Sequence, residues 1–283
     1  MATVPEFEFG RTLLRAGGMW RRNLLKLGAC ILAISVIGLI VQGLLLLAAG
    51  GGAIPTAERE PAIAAVAAAG IGMIILGLIS ASLLSAVNAY AAEAEVKGEK
   101  ATFAGGWKAS WGNLLPQLGI QALLWLMLLV IYLACALLGR IFGILLFLGA
   151  ATVFAVFFGL AASIQLNERR GVFASIGESV KAGEGNRWAL FGYYLLAYLI
   201  AVIALLVSYF LLIMLLAIAA GTSSLALPTG QAADGILPFL LLFIPIYLFF
   251  SAAAPLALGS IPASAYVSLR KNRNEQAVSR IFE

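Results

Sequence analysis

The chain has 283 residues, 63% of them apolar and only 11% charged, with a mean hydropathy of +1.03; a soluble domain carries charge on about a quarter of its residues. Its 18 Lys and Arg and 13 Asp and Glu fall in or beside short connectors, Arg140 being the one candidate for a mid-span charge, so no stretch outside the apolar runs can bury a soluble core. The net charge of +5 is spread over four short segments, which argues against nucleic acid as a partner and for membrane topology.

Residues 7–26 predict an amphipathic helix. At 100° per residue Arg11, Arg15, Arg22 and Lys26 share one stripe, and Phe9, Leu13, Trp20 and Leu24 share another. Such a helix lies at headgroup depth, each cation being worth about 1 kcal/mol near an anionic surface; as a bland alternative it simply anchors the first span. The next run, 27–49, is too long for the core of a cleaved leader and reads as that span, retained. Five more apolar runs come after it, at 62–92, 114–139, 141–166, 188–220 and 236–267. A crossing helix needs about 20 apolar residues, and in lipid only helices and closed barrels satisfy every backbone group. The runs are too long and too unalternating for barrel strands. The expected fold is an all-α integral membrane domain over 1–283, with six transmembrane helices as three hairpins joined by interfacial amphipathic helices.

Orientation follows from the cations. Sixteen of the 18 Lys and Arg lie before the first span, between the second and third, between the fourth and fifth, or after the sixth, leaving Arg59 and Arg140 on the other side. This places both termini in the cytoplasm.

The cytoplasmic connectors share a pattern. Phe9, Trp20, Asn23 and Gly28 precede span one; Phe103, Trp107, Trp111, Asn113 and Gly119 precede or open span three; Phe173, Asn186, Trp188 and Gly192 do so for span five. The spacings differ by a few residues, as in a degenerate internal repeat. Trp suits this depth because its ring is apolar and its N–H wants a wet partner. The residues expected at lipid headgroups are therefore Arg11, Arg15, Arg22, Lys26, Trp20, Trp107, Trp111, Arg169, Arg170, Arg187 and Trp188.

Within the spans, Gly77, Ala81, Ser85 and Ala89 recur every four residues, with Gly70 one heptad before them. Small stripes let helices approach closely in lipid, so these read as a packing seam or a homodimer face. The sixth span carries Pro238, Pro245, Pro255 and Pro262, and kinks are expected, chiefly at Pro245 and Pro255. Gln42, Asn88, Gln117, Gln121, Gln165, Tyr193, Tyr194 and Tyr198 are the other polar candidates. Glu93, Glu95, Glu99, Glu168 and Glu178 stand among cations and read as solvated ion pairs.

Chemistry is sparse. The sequence has no His, two Cys embedded in apolar runs (Cys30 and Cys135), no phosphate-binding glycine loop and no hydrolase motif. We therefore expect no metal, no cofactor and no enzyme.

The stretch 167–198, NERRGVFASIGESVKAGEGNRWALFGYYLLAY, resembles a segment of YciC-type bacterial inner-membrane proteins, a group similar to the membrane domain of some glycerophosphodiester phosphodiesterases. Glu168, Arg170, Gly171, Val172, Phe173, Ala174, Ile176, Ser179, Val180 and Asn186 carry the resemblance. It implies a six-span inner-membrane protein without an assigned reaction and a link to glycerophospholipids. No catalytic residue carries over, because the phosphodiesterase activity resides in a soluble domain that has no counterpart stretch here. The expected function is organisation of lipid or of a membrane protein partner, with anionic lipids as the first partners and a second copy of the chain as another. The alternative is a small-molecule or lipid transporter using the proline-kinked sixth span.

Overall fold

The computed structural model describes residues 7–50, 63–138, 140–226 and 253–271. Every regular element among them is a helix: α1 (Phe9–Asn23), α2 (Lys26–Gly50), α3 (Ile63–Lys97), α4 (Phe103–Gly112), α5 (Leu114–Ala136), α6 (Arg140–Phe158), α7 (Ala161–Glu168), α8 (Val172–Ala182) and α9 (Arg187–Ala226), then α10 over 253–271. Five stretches among the described residues are long and apolar enough to cross a membrane: Lys26–Leu45, Gly70–Lys97, Leu114–Ala136, Gly149–Glu168 and Arg187–Ser208. The chain is an all-helical, multi-pass membrane protein.

The short helices α1, α4 and α8 are separated from the spans by local chemistry. Gly98 at φ 70° ends α3; its N–H donates to the Glu95 carbonyl at 3.3 Å and that of Glu99 to Ala94 at 2.8 Å, the paired bonds of a left-handed C-terminal cap. Thr102 then caps α4, its Oγ1 accepting the Gly105 N–H at 3.1 Å. Arg169 ends α7 at φ 51°, a backbone that costs a non-glycine residue about 1–2 kcal/mol. An asparagine stands at each joint from short helix to span: Asn23 closes α1, Asn113 lies between α4 and α5, and Asn186 immediately precedes α9.

The predicted fourth span, 141–166, is interrupted. It is made of α6 and α7, separated at Gly159–Leu160, although Gly159 and Ile164 still donate to Ala155 and Leu160 at 2.8 and 3.0 Å. The predicted second span continues five residues further, to Lys97. Of the predicted sixth span, 236–267, only the part from 253 is described; Pro255 and Pro262 lie within α10, and Pro238 and Pro245 fall outside the described residues.

Each short helix is hydrogen-bonded to a neighbouring longer helix. Ser110 of α4 donates to the Leu83 carbonyl of α3 at 3.2 Å. Ser179 of α8 donates to Phe157 of α6 at 2.8 Å. Thr12 of α1 lies 3.0 Å from Ser268 of α10. In lipid such interhelical bonds are worth about 0.6 kcal/mol on average and up to about 1.7. One apolar cluster, including Met19, Leu27, Val87, Ile164, Tyr193 and Leu256, fills this end of the bundle. Toward the other end Ile40, Leu44, Ile71, Phe142, Phe210 and Met214 are exposed, a surface too extensively apolar for water.

Candidate functional site: an interfacial rim and an interior cavity

The rim is built from α1, α4, α8 and the first turns of the spans. On α1 the apolar stripe is used by the protein itself: Phe9, Leu13, Trp20 and Leu24 pack against the core cluster. Trp20 donates its indole N–H to the Ala253 carbonyl at 3.2 Å, and Arg15 reaches inward to Ser268 at 2.7 Å. What α1 exposes is Arg11, Leu14, Arg21 and Arg22. Arg11 pairs with Glu8 at 2.9 Å, and Arg22 with Glu95 of α3 at 2.9 Å.

On α4 the aromatic side chains form a row. Phe103 stacks on Trp107, centroids 6.1 Å apart, and Trp107 meets Trp111 at 5.9 Å. Trp107 is half-buried, while Trp111 and Leu115 are 46% and 79% exposed. Phe173, in the first turn of α8, is 78% exposed, and Trp188, in the first turn of α9, 86%. Lys26, Lys108 and Arg169 are exposed as well, Lys108 close in sequence to Trp111 and Arg169 to Phe173. Arg170 bonds Glu168 at 3.0 Å and Glu178 at 3.4 Å. Arg187 approaches Glu184 at 3.8 Å and lies 5.0 Å over the Phe157 ring.

The joint of α8 to α9 is tied across the molecule. Asn186 Oδ1 accepts the Phe7 N–H at 3.1 Å, and the Phe7 ring meets Tyr193 edge-on at 5.7 Å. The buried hydroxyls of Thr12, Ser110, Ser175 and Ser179 were not singled out by sequence reasoning as anchors. Their signal was a small polar residue on the apolar face of a short helix.

A half-open cavity of about 530 Å³ is bounded by α3, α5, α6, α7, α9 and α10. Ala81, Ser85 and Ala89 of the small-residue stripe line it, whereas Gly70 and Gly77 have no heavy atom within 4 Å of where a side chain would begin. Asn88 and Gln121 face it too. Asn88 donates to its own helix at Leu84, 2.9 Å, and to Pro255 of α10 at 3.4 Å; its Oδ1 is buried without a partner among the described residues. Beneath it Gln117 donates to Ala162 and Gln165 at 3.0 and 2.8 Å, and Tyr193 lies 2.6 Å from Ser264.

No protein-family model, curated protein or solved structure matches the chain.

Among the described residues no cluster of His, Cys, Asp and Glu could hold a metal ion. Glu93 pairs with Lys97 at 2.6 Å, so, like Glu95, Glu168 and Glu178, it meets a cation rather than another carboxylate. Solvated pairs of this kind contribute at most about 1 kcal/mol. The arrangement can therefore do two things: hold anionic headgroups at the rim and accommodate an uncharged molecule in the interior.

Proposed function

We propose that the chain is a non-enzymatic protein of a bacterial cytoplasmic membrane. It has six spans in three hairpins with both termini in the cytoplasm, and it organises anionic lipid, or a membrane protein seated in that lipid, through its short helices. The exposure of Trp188, Phe173 and Trp111, close in sequence to exposed Arg187, Arg169 and Lys108 respectively, is the observation that supports this most. Large rings beside cations are wasted in water and suited to the headgroup boundary. The asparagine at each short-helix joint supports an internal threefold repeat. The YciC-type relation is proposed on the resemblance of residues 167–198 alone.

Two results are expected. A reporter fused after Glu283 should be active only when the C-terminus is cytoplasmic; export of that reporter would overturn the orientation. Replacing Lys26, Lys108 and Arg169 together by Gln should reduce the phosphatidylglycerol or cardiolipin retained after mild extraction, read by mass spectrometry of the intact complex. Each charge contributes about 1 kcal/mol near an anionic surface, so unchanged retention would sink the electrostatic half of the proposal. A stoichiometric protein partner or second copy in the same spectrum would assign the rim to assembly.

Transport is the second reading, favoured by the cavity and by the break at Gly159 on its wall. Interrupted helices beside a cavity are how many transporters expose backbone to substrate. Solute- or lipid-movement assays in reconstituted vesicles separate the two readings.

A further inference from the structure

We propose that the interior cavity binds an uncharged amphiphile: a lipid with one apolar chain and a small head bearing hydroxyl donors, as in a monoacylglycerol. The inference stands on the cavity and is independent of the rim.

Its volume, about 530 Å³, falls inside the range of about 300–1,000 Å³ typical of ligand pockets. Among the described residues no Lys, Arg, Asp or Glu lines it. A phosphate or ammonium would lose its hydration there with no counter-charge, at a cost of several kcal/mol, so the ligand is neutral.

Polarity is graded along the cavity. Asn88 of α3, Gln121 of α5 and Ser163 of α7 line the part nearer the short helices. Leu128, Trp125, Phe154 and Val202 line the deeper part. Thr152 at the deep end already has a partner. An amphiphile seated with its head beside Asn88 and its chain toward Leu128 keeps the orientation it has in the adjoining leaflet, so it need not turn over to enter. Trp125 and Val202 are exposed as well as lining the space, which puts the margin of the cavity on the bundle's outer surface.

The head meets amide groups at this end. Gln121 is half-buried in the cavity wall, and its side chain can accept from or donate to a ligand hydroxyl. The amide hydrogens of Asn88 can be spent on Leu84 and Pro255, and its Oδ1 is sealed from the cavity. The space for the body comes from small residues on facing helices: Ala81, Ser85 and Ala89 on α3, and Ala155, Gly159 and Ala162 on α6 and α7.

The test uses the full chain in phosphatidylcholine nanodiscs with two photoactivatable probes of the same acyl chain, a monoacylglycerol and its phosphorylated counterpart. The monoacylglycerol should label peptides covering 81–89, 121–128 or 151–163, about tenfold more than the phosphorylated probe, and excess unlabelled monoacylglycerol should compete. Ser85→Phe fills the cavity from α3 and Leu124→Trp from α5. Either should abolish that labelling, provided the variant elutes and melts as the parent does. Gln121→Leu keeps the volume and should lower it about tenfold, the effect of one lost hydrogen bond of about 1.4 kcal/mol. Equal labelling by both probes, labels confined to outward positions such as Ile74 and Leu126, labelling that survives the filling variants, or none at all would each overturn the assignment.

Discussion

Replacing Gly259 by Ala should destabilise the folded chain by about 1–3 kcal/mol, and deleting the Asn88 side chain in the same molecule should return much of that loss. The reason is a close approach of α10 to α3. A Cβ on Gly259 would fall within the Asn88 amide, which is held by its bonds to Leu84 at 2.9 Å and Pro255 at 3.4 Å. The amide cannot retreat without giving up the bond to α10, or else α10 must shift. Overpacking of this kind costs about 1–3 kcal/mol. Asn88→Ala alone forfeits one interhelical bond, about 0.6 and at most about 1.7 kcal/mol in a membrane protein. If the clash is the cause, the double variant should be close to Asn88→Ala alone, with a coupling of about 1 kcal/mol or more. Unfolding midpoints in a detergent-denaturant titration give all four corners of the cycle. Strict additivity would mean that α3 and α10 do not meet at these residues.

Much of the fold was legible because lipid narrows the choices. Where the backbone must satisfy itself, an apolar run of span length is a helix, so α2, α3, α5 and α9 could be read directly. The short helices were legible too, α1 from its two stripes, α4 and α8 from the pattern that Phe103, Trp107 and Trp111, and then Phe173, set in the connectors. What a helical wheel cannot supply is the surface a stripe faces. The pattern of Phe9, Leu13, Trp20 and Leu24 suits lipid and protein equally, and here these four side chains pack on the core cluster while Arg15 turns in to Ser268. The break at Gly159 was equally hidden, since one glycine in an apolar run also reads as a helix contact. Ala81, Ser85 and Ala89 stood out as small residues, but small residues either admit a neighbouring helix or leave room. Only the placement of α5, α6, α9 and α10 around them decides that they line a cavity.

A second large effect is expected where the start of α5 meets the end of α7. Gln117 is fully buried and Gln165 is 4% exposed; the Gln117 amide donates to Gln165 Oε1 at 2.8 Å and to the Ala162 carbonyl at 3.0 Å. Gln117→Leu fills similar volume, so packing changes little, but it strands Gln165 Oε1 away from water. The lost bond alone would cost about 0.6 kcal/mol on the scale of membrane interiors. Gln117 Oε1 is itself buried without a partner among the described residues, so the variant exchanges one stranded acceptor for another and the desolvation penalties, about 1–3 kcal/mol each, offset one another. The single variant should therefore lose little more than the bond, and Gln117→Leu with Gln165→Leu should be more stable than the single variant by about 1–3 kcal/mol, because no polar atom of the pair is then left unmet. Should the double variant instead be worse than the single one, these glutamines would be contributing more than their mutual bond. The floor of the cavity, where Ala162 also lines the wall, would then be the place to look for the missing partner.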